Sequence, residues 1–111
     1  VELDDLDERP YEGVLGGGMF VMRRDAYEAA PMDRRFRGWG QEDISAGLAW
    51  STLYGRPWRG MEPLWHLWHP PMPRDNRVVG SSAGLELFRE YRRANHNRRL
   101  MRELVSKGVE Q

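Results

Sequence analysis

The sequence predicts a mixed α/β chain, a few strands with flanking helices, on three observations. The run Gly13-Val14-Leu15-Gly16-Gly17-Gly18-Met19-Phe20-Val21-Met22 is apolar and glycine-rich, turns charged at Arg23-Arg24-Asp25, and reads as a buried strand. The acid pair Glu42-Asp43 stands before Ile44, Leu48, Trp50 and Leu53, the pattern of a helix start. From Ser82 onward Leu87, Tyr91, Ala94, Met101 and Val105 recur at spacings of four, three, seven and four, a helical stripe that must pack on something.

Taken in order, Val1-Glu2-Leu3-Asp4-Asp5-Leu6-Asp7-Glu8 carries five carboxylates in eight residues and begins without Met. Residues 1–9 are therefore expected to be a solvated acidic lead-in, at a point where upstream sequence has been cut away. The glycines of the strand leave one flank without side chains, which suits close approach by either a ligand or a neighbouring backbone. Asp25 is placed to cap a short helix from Ala26 to Ala30 that Pro31 closes, and Met32 to Trp39 reads as loop. Gly55 and Pro57 end the second helix. Five of the seven prolines, Pro57, Pro63, Pro70, Pro71 and Pro73, lie between 56 and 82, which makes that stretch mostly extended or looped. Residues 10–82 are taken as one unit and 83–111 as a basic amphipathic helix, with no internal repeat and no second domain.

Composition narrows the function classes. The 111 residues include 17 basic and 17 acidic side chains, so the chain is formally neutral and a generic polyanion binder is disfavoured. Charge is nevertheless segregated: Arg89, Arg92, Arg93, Arg98, Arg99, Arg102 and Lys107 face only Glu86, Glu90 and Glu103. A solvated face is the default reading of that excess; an acidic lipid surface or an acidic glycan is the functional one. No apolar run reaches the roughly 20 residues of a membrane span, and no charged-then-apolar leader is seen. The absence of cysteine excludes disulfides and thiolate metal sites. Five Trp, at 39, 50, 58, 65 and 68, serve either as platforms for flat ligands or as bulk for a core poor in Ile and Val.

Three clusters are candidates for chemistry. In Phe36-Arg37-Gly38-Trp39-Gly40-Gln41-Glu42-Asp43 an indole sits between two glycines and beside two acids at the mouth of a helix. Acids in a first turn ordinarily complement free N–H groups and the helix dipole. Here Gly38 and Gly40 also let the backbone bend around Trp39, so its ring can stack on a sugar face while Asp43 accepts a proton from a hydroxyl. In Leu64-Trp65-His66-Leu67-Trp68-His69-Pro70-Pro71 the histidines are three apart and point to opposite faces of an extended chain, so one metal takes one of them. Structural histidines in an aromatic loop are the plain alternative, and His96, in an Arg-rich helix, reads as a surface residue. Gly16-Gly17-Gly18 lacks the spacing of a phosphate-binding loop and is read as either an approach to main chain or a tightly packed strand.

In sequence order, Pro10-Tyr11, Gly16-Gly17-Gly18-Met19-Phe20, Arg24, Phe36, Gly38-Trp39-Gly40-Gln41-Glu42-Asp43 and His66-Leu67-Trp68-His69-Pro70-Pro71 resemble the C-terminal half of GT-A-fold glycosyltransferases. The likeness is to the galactosyltransferase-type region of β-1,4-galactosyltransferases, chondroitin-polymerase-like enzymes and polypeptide N-acetylgalactosaminyltransferases, over roughly residues 10 to 76. The resemblance implies the C-terminal part of a GT-A fold, incomplete without an N-terminal nucleotide-binding half. It implies an inverting hexosyltransferase using a nucleoside diphosphate sugar donor and a glycan acceptor, while formal neutrality and the lack of a long apolar run give the expectation of no nucleic acid and no membrane span. Asp43 would be the base, since it falls on the position of the base in the inverting members, and the Asn that the retaining polypeptide transferases commonly carry there favours inversion. Glu42, Gly40, Gly17 and Gly18 would line the sugar sites and Trp39 would form the acceptor platform. Gln41 departs from the family's second glycine. His69, with His66 as the alternative, would help hold a divalent metal, usually manganese. Asp5-Leu6-Asp7 spells the family's metal motif but follows no apolar strand and is read as surface acids. A carbohydrate-binding or scaffold module without chemistry is the rival expectation.

Overall fold

The computed structural model describes residues 19–37, 40–60, 62, 70 and 82–110. They form four helices, α1 (Arg24–Ala29), α2 (Glu42–Tyr54), α3 (Ser82–Ala94) and α4 (Arg98–Val109). Among the described residues there is no strand, which overturns the α/β expectation and the GT-A architecture drawn from it. Of the run read as a strand, Met19, Phe20 and Val21 are exposed and Phe20 lies against Trp50, its ring centroid 4.6 Å away. A short apolar run has no periodicity of its own, and here no described neighbour supplies the ladder that would make it a strand.

The helices form because their sequences point one way locally. Ser45, Ala46, Gly47, Leu48 and Ala49 are buried in succession, so α2 is covered on every side and sits centrally. Its small residues allow α3 and α4 to approach, and each of α2, α3 and α4 packs against the other two. The stripe read from the sequence, Leu87, Tyr91, Ala94, Met101 and Val105, is buried throughout, with Leu104 and Ala30 completing the core. That stripe runs over two helices. Asn97 caps α4 by accepting from the Leu100 N–H at 3.1 Å. His96, exposed at φ 65°, makes the turn between the helices, and its N–H donates to Thr52 Oγ1 of α2 at 3.2 Å. Short α1 starts at Arg24, and Asp25 lies in its first turn, accepting from the Ala26 N–H at 2.9 Å. It docks through Trp50 Nε1, which donates to the Ala30 carbonyl at 2.7 Å, and the Tyr54 phenol, which donates to the Ala26 carbonyl at 2.7 Å. No helix among the described residues is long and apolar enough to cross a membrane.

The loop between α1 and α2 is fixed by a buried ion pair. The Asp33 side chain, only 3% exposed, accepts from Arg35 Nη2 at 2.7 Å and from the Tyr91 phenol at 2.7 Å. Its Oδ1 also takes the Arg35 N–H at 2.9 Å, and Arg35 Nη2 reaches the Leu104 carbonyl of α4 at 2.9 Å. Burial alone pushes the Asp33 carboxyl up, but the hydrogen bonds from Arg35 and Tyr91 together hold it below its ordinary value. Burial, then the hydrogen bond to that carboxylate, pushes the Tyr91 phenol up. Gly108 of α4 faces the same carboxylate: a Cβ there would lie 3.0 Å from Cγ and both oxygens of Asp33.

These contacts give two expectations. Because the folded Asp33 carboxyl is depressed, its contribution is complete above the ordinary value of 3.8 and is lost as pH falls through the folded value. The unfolding temperature is expected to fall as pH is taken below about 4, and Asp33→Asn is expected to be less stable near neutrality and to flatten that limb. Gly108→Ala tests the steric part. An ordinary helical Gly→Ala gains about 1 kcal/mol, whereas crowding a locked carboxylate costs about 1–3 kcal/mol, so a net loss in denaturant-measured stability is expected at this position.

Candidate functional site at the mouth of the second helix

The loop held by Asp33 and Arg35 leads into the start of α2. Phe36 continues the anchorage: its N–H donates to the Asp33 carbonyl at 3.4 Å, and its ring lies 6.1 Å from that of Tyr91. The chain then turns through Gly40 at φ 100° and Gln41 at φ 76° before α2 begins. A side chain is strained in this left-handed region, so Gln41 holds a conformation that glycine adopts freely. A Cβ built on Gly40 would meet no described residue within 4 Å.

Glu42 and Asp43 are the first two residues of α2, both half-buried. Their charges face the positive end of the helix dipole. Asp43 Oδ1 accepts from the Ile44 N–H at 2.8 Å, and its other oxygen is engaged by no described residue. Asp43 forms no ion pair among the described residues. Glu42 Oε2 is buried without a hydrogen-bond partner, and so is Ser45 Oγ, on a residue that is 0% exposed. The first turn of α2 thus holds an Asp43 oxygen with no described partner and two buried oxygens, of Glu42 and Ser45, that make no hydrogen bond.

The structure brings together Gly40, Glu42 and Asp43 of the residues expected from the sequence. Trp39, Gly17, Gly18, His69 and its alternative His66 lie outside the described residues, as does Asp5-Leu6-Asp7. Among the described residues no three His, Asp or Glu side chains meet to hold a metal, the histidines expected to do so lie outside those residues, and no chemical step is derived through one. Of the other tryptophans, Trp50 serves the core while Trp58 is 88% exposed. A separate shallow groove of about 170 Å³ between α3 and α4, lined by Glu90, Arg93, Glu103 and Lys107 among others, contains neither Glu42 nor Asp43.

Sequence reasoning missed two parts of this arrangement. Ser45 is one, and its only signal is the three-residue spacing that sets it on the same helix face as Glu42. The Asp33, Arg35 and Tyr91 lock is the other, joining groups 58 positions apart that no local pattern links. Compared with known proteins, the chain matches no family model, no curated protein and no solved structure.

Proposed function

We propose that this chain is the acceptor-side part of an inverting glycosyltransferase, moving a hexose or N-acetylhexosamine from a nucleoside diphosphate sugar to a glycan hydroxyl. The observation that carries the reading is the start of α2, where Asp43 has a carboxylate oxygen with no described partner beside the buried, unpartnered oxygen of Glu42 and the bend at Gly40. The Trp-Gly-Gln-Glu-Asp order supports it through the family resemblance.

In this reading Asp43 Oδ2 takes the proton of the acceptor hydroxyl as its oxygen attacks the anomeric carbon. The bond from that carbon to the diphosphate breaks on the opposite face, and the nucleoside diphosphate departs with the bonding pair. The hydrogen bond from the Ile44 N–H to Oδ1 fixes the orientation of the carboxylate. Glu42 orients a sugar by accepting from its hydroxyls, and Trp39 supplies the ring on which the acceptor stacks. A divalent metal, manganese, with His69 or else His66 among its ligands, belongs to the same proposal. The chain alone is expected to be inactive.

A non-catalytic carbohydrate-binding module is the second reading, favoured by the bare indole of Trp58. Asp43→Asn separates the two, since the amide keeps the shape and the acceptor for the Ile44 N–H but loses basicity. In the full-length parent, kcat for sugar transfer is expected to fall by about 10²–10⁴ with KM and unfolding temperature little changed. Unchanged turnover in that variant removes Asp43 from the reaction, and glycan binding that ignores both the substitution and metal removal favours the binding module.

A further inference from the structure

Two stretches of the chain hold arginines and no acid at all. Residues 91–102 include five Arg and His96, residues 49–60 include Arg56 and Arg59, and neither stretch contains Asp or Glu. The fold brings both to one end of the bundle. Thr52 Oγ1 of α2 donates to Asn95 Oδ1 at 3.4 Å and accepts from the His96 N–H at 3.2 Å, and Arg98 Nη2 donates to the Leu53 carbonyl at 3.4 Å. The turn between α3 and α4 is thereby held against the last turn of α2. The start of α1 comes to the same end, because Trp50 meets the Ala30 carbonyl while Tyr54 meets the Ala26 carbonyl, so α1 runs antiparallel to α2.

Apolar side chains are exposed at this end as well. Met19 is 69% exposed, Val21 89% and Trp58 88%, with Phe20 and Tyr54 about half exposed. Residues 19–21 lead into α1 and Trp58 follows α2 by four residues, so chain reach keeps each within about 18 Å of this end. These are five of the eight large hydrophobic side chains exposed among the described residues, so apolar surface is concentrated where the arginines are. Among the described residues only two of the cations here are in ion pairs, Arg23 with Asp25 and Arg99 with Glu103.

We propose that this end of the bundle is a docking surface for an anionic lipid bilayer, with the arginines taking lipid phosphates and Met19, Val21 and Trp58 entering the boundary between headgroups and acyl chains. A guanidinium binds phosphate oxygens through paired hydrogen bonds, and an indole settles at headgroup depth. Basic side chains interleaved with apolar ones are held by both attractions at once. A nucleic acid would use the same arginines and the indole, but it offers no stacking partner to Met19 and Val21, whose exposed aliphatic surface gains only by leaving water. The inference is independent of the transferase reading: the 13 residues of α2 put Glu42 about 18 Å from Tyr54, at the opposite end of that helix.

The test is cosedimentation of the chain with vesicles of phosphatidylcholine, alone or mixed with phosphatidylglycerol, at low salt and at about 0.15 M salt. Binding is expected to the mixed vesicles, with little to phosphatidylcholine alone, and to weaken as salt rises. Arg56→Gln and Arg59→Gln are each expected to weaken binding to the mixed vesicles by about fivefold, and Trp58→Ala by about tenfold at either salt concentration. All three side chains are exposed, so the unfolding temperature is expected to hold. Arg34→Gln removes the same charge from an exposed residue of the loop between α1 and α2, beside the Asp33 that faces Gly108 near the far end of α4, and is expected to change binding by less than about twofold. No binding to the mixed vesicles, equal binding to both kinds, or an Arg34→Gln effect as large as that of Arg59→Gln overturns the proposal. Binding that Trp58→Ala leaves unchanged overturns the inserted indole, and tighter binding to a single-stranded oligonucleotide than to the mixed vesicles overturns the proposal in favour of nucleic acid.

Discussion

The carboxylate of Asp33 is where the polar and apolar parts of this molecule meet. It sits in the angle between α3 and α4, takes the Tyr91 phenol from one and faces Gly108 of the other, and through Arg35 reaches the Leu104 carbonyl. A buried carboxylate is unfavourable by itself, and a buried pair is worth having only when its remaining hydrogen-bonding capacity is filled. Here it is filled by the Arg35 guanidinium, the Arg35 N–H and a phenol, which explains why desolvation does not win. The consequence lies a few residues downstream. Residues 31–37 have no helix or strand to hold them, so the lock determines where the bend at Gly40 and Gln41, and hence Glu42 and Asp43, stand relative to the core.

The start of α2 inherits its shielding from packing. Ala46, Gly47 and Ala49 are small enough for neighbouring helices to close around α2, and the same closure buries Ser45 one turn from the helix start. Strain is kept in the same place, with Gln41 in a left-handed conformation that offers no cap hydrogen bond from its side chain. Strained backbone and unpartnered buried oxygens within five residues work against stability, and proteins retain such combinations where a ligand uses them.

How much of this was legible depends on whether the cause is local. The Glu42-Asp43 pair and Gly55 mark the ends of α2 by chemistry that acts within one turn, and the stripe from Leu87 to Val105 is written in the helical period. The break at Asn95–Asn97 was hidden inside that stripe, because the spacing of seven between Ala94 and Met101 fits one helix as well as two. Of the apolar glycine run only Met19 to Met22 are described, and there hydrophobicity without period did not distinguish a strand from a segment laid on an aromatic ring, as Phe20 is on Trp50. Asp33 and Arg35 fall in the stretch read only as loop, and their partner Tyr91 is set by tertiary packing. Asp43 was readable as a candidate from its motif, but which of its oxygens is hydrogen-bonded, and the burial of Ser45, are properties of the folded chain.

The central claim is that the mouth of α2, and not another face, meets a sugar. Amide NMR shifts of the isotope-labelled chain, recorded while a glycan acceptor such as methyl β-galactopyranoside is titrated in, test it directly. The expected result is a cluster of saturable shifts over Gly40, Gln41, Glu42, Asp43 and Ser45. Shifts confined to the groove between α3 and α4, around Arg93 and Lys107, would contradict it.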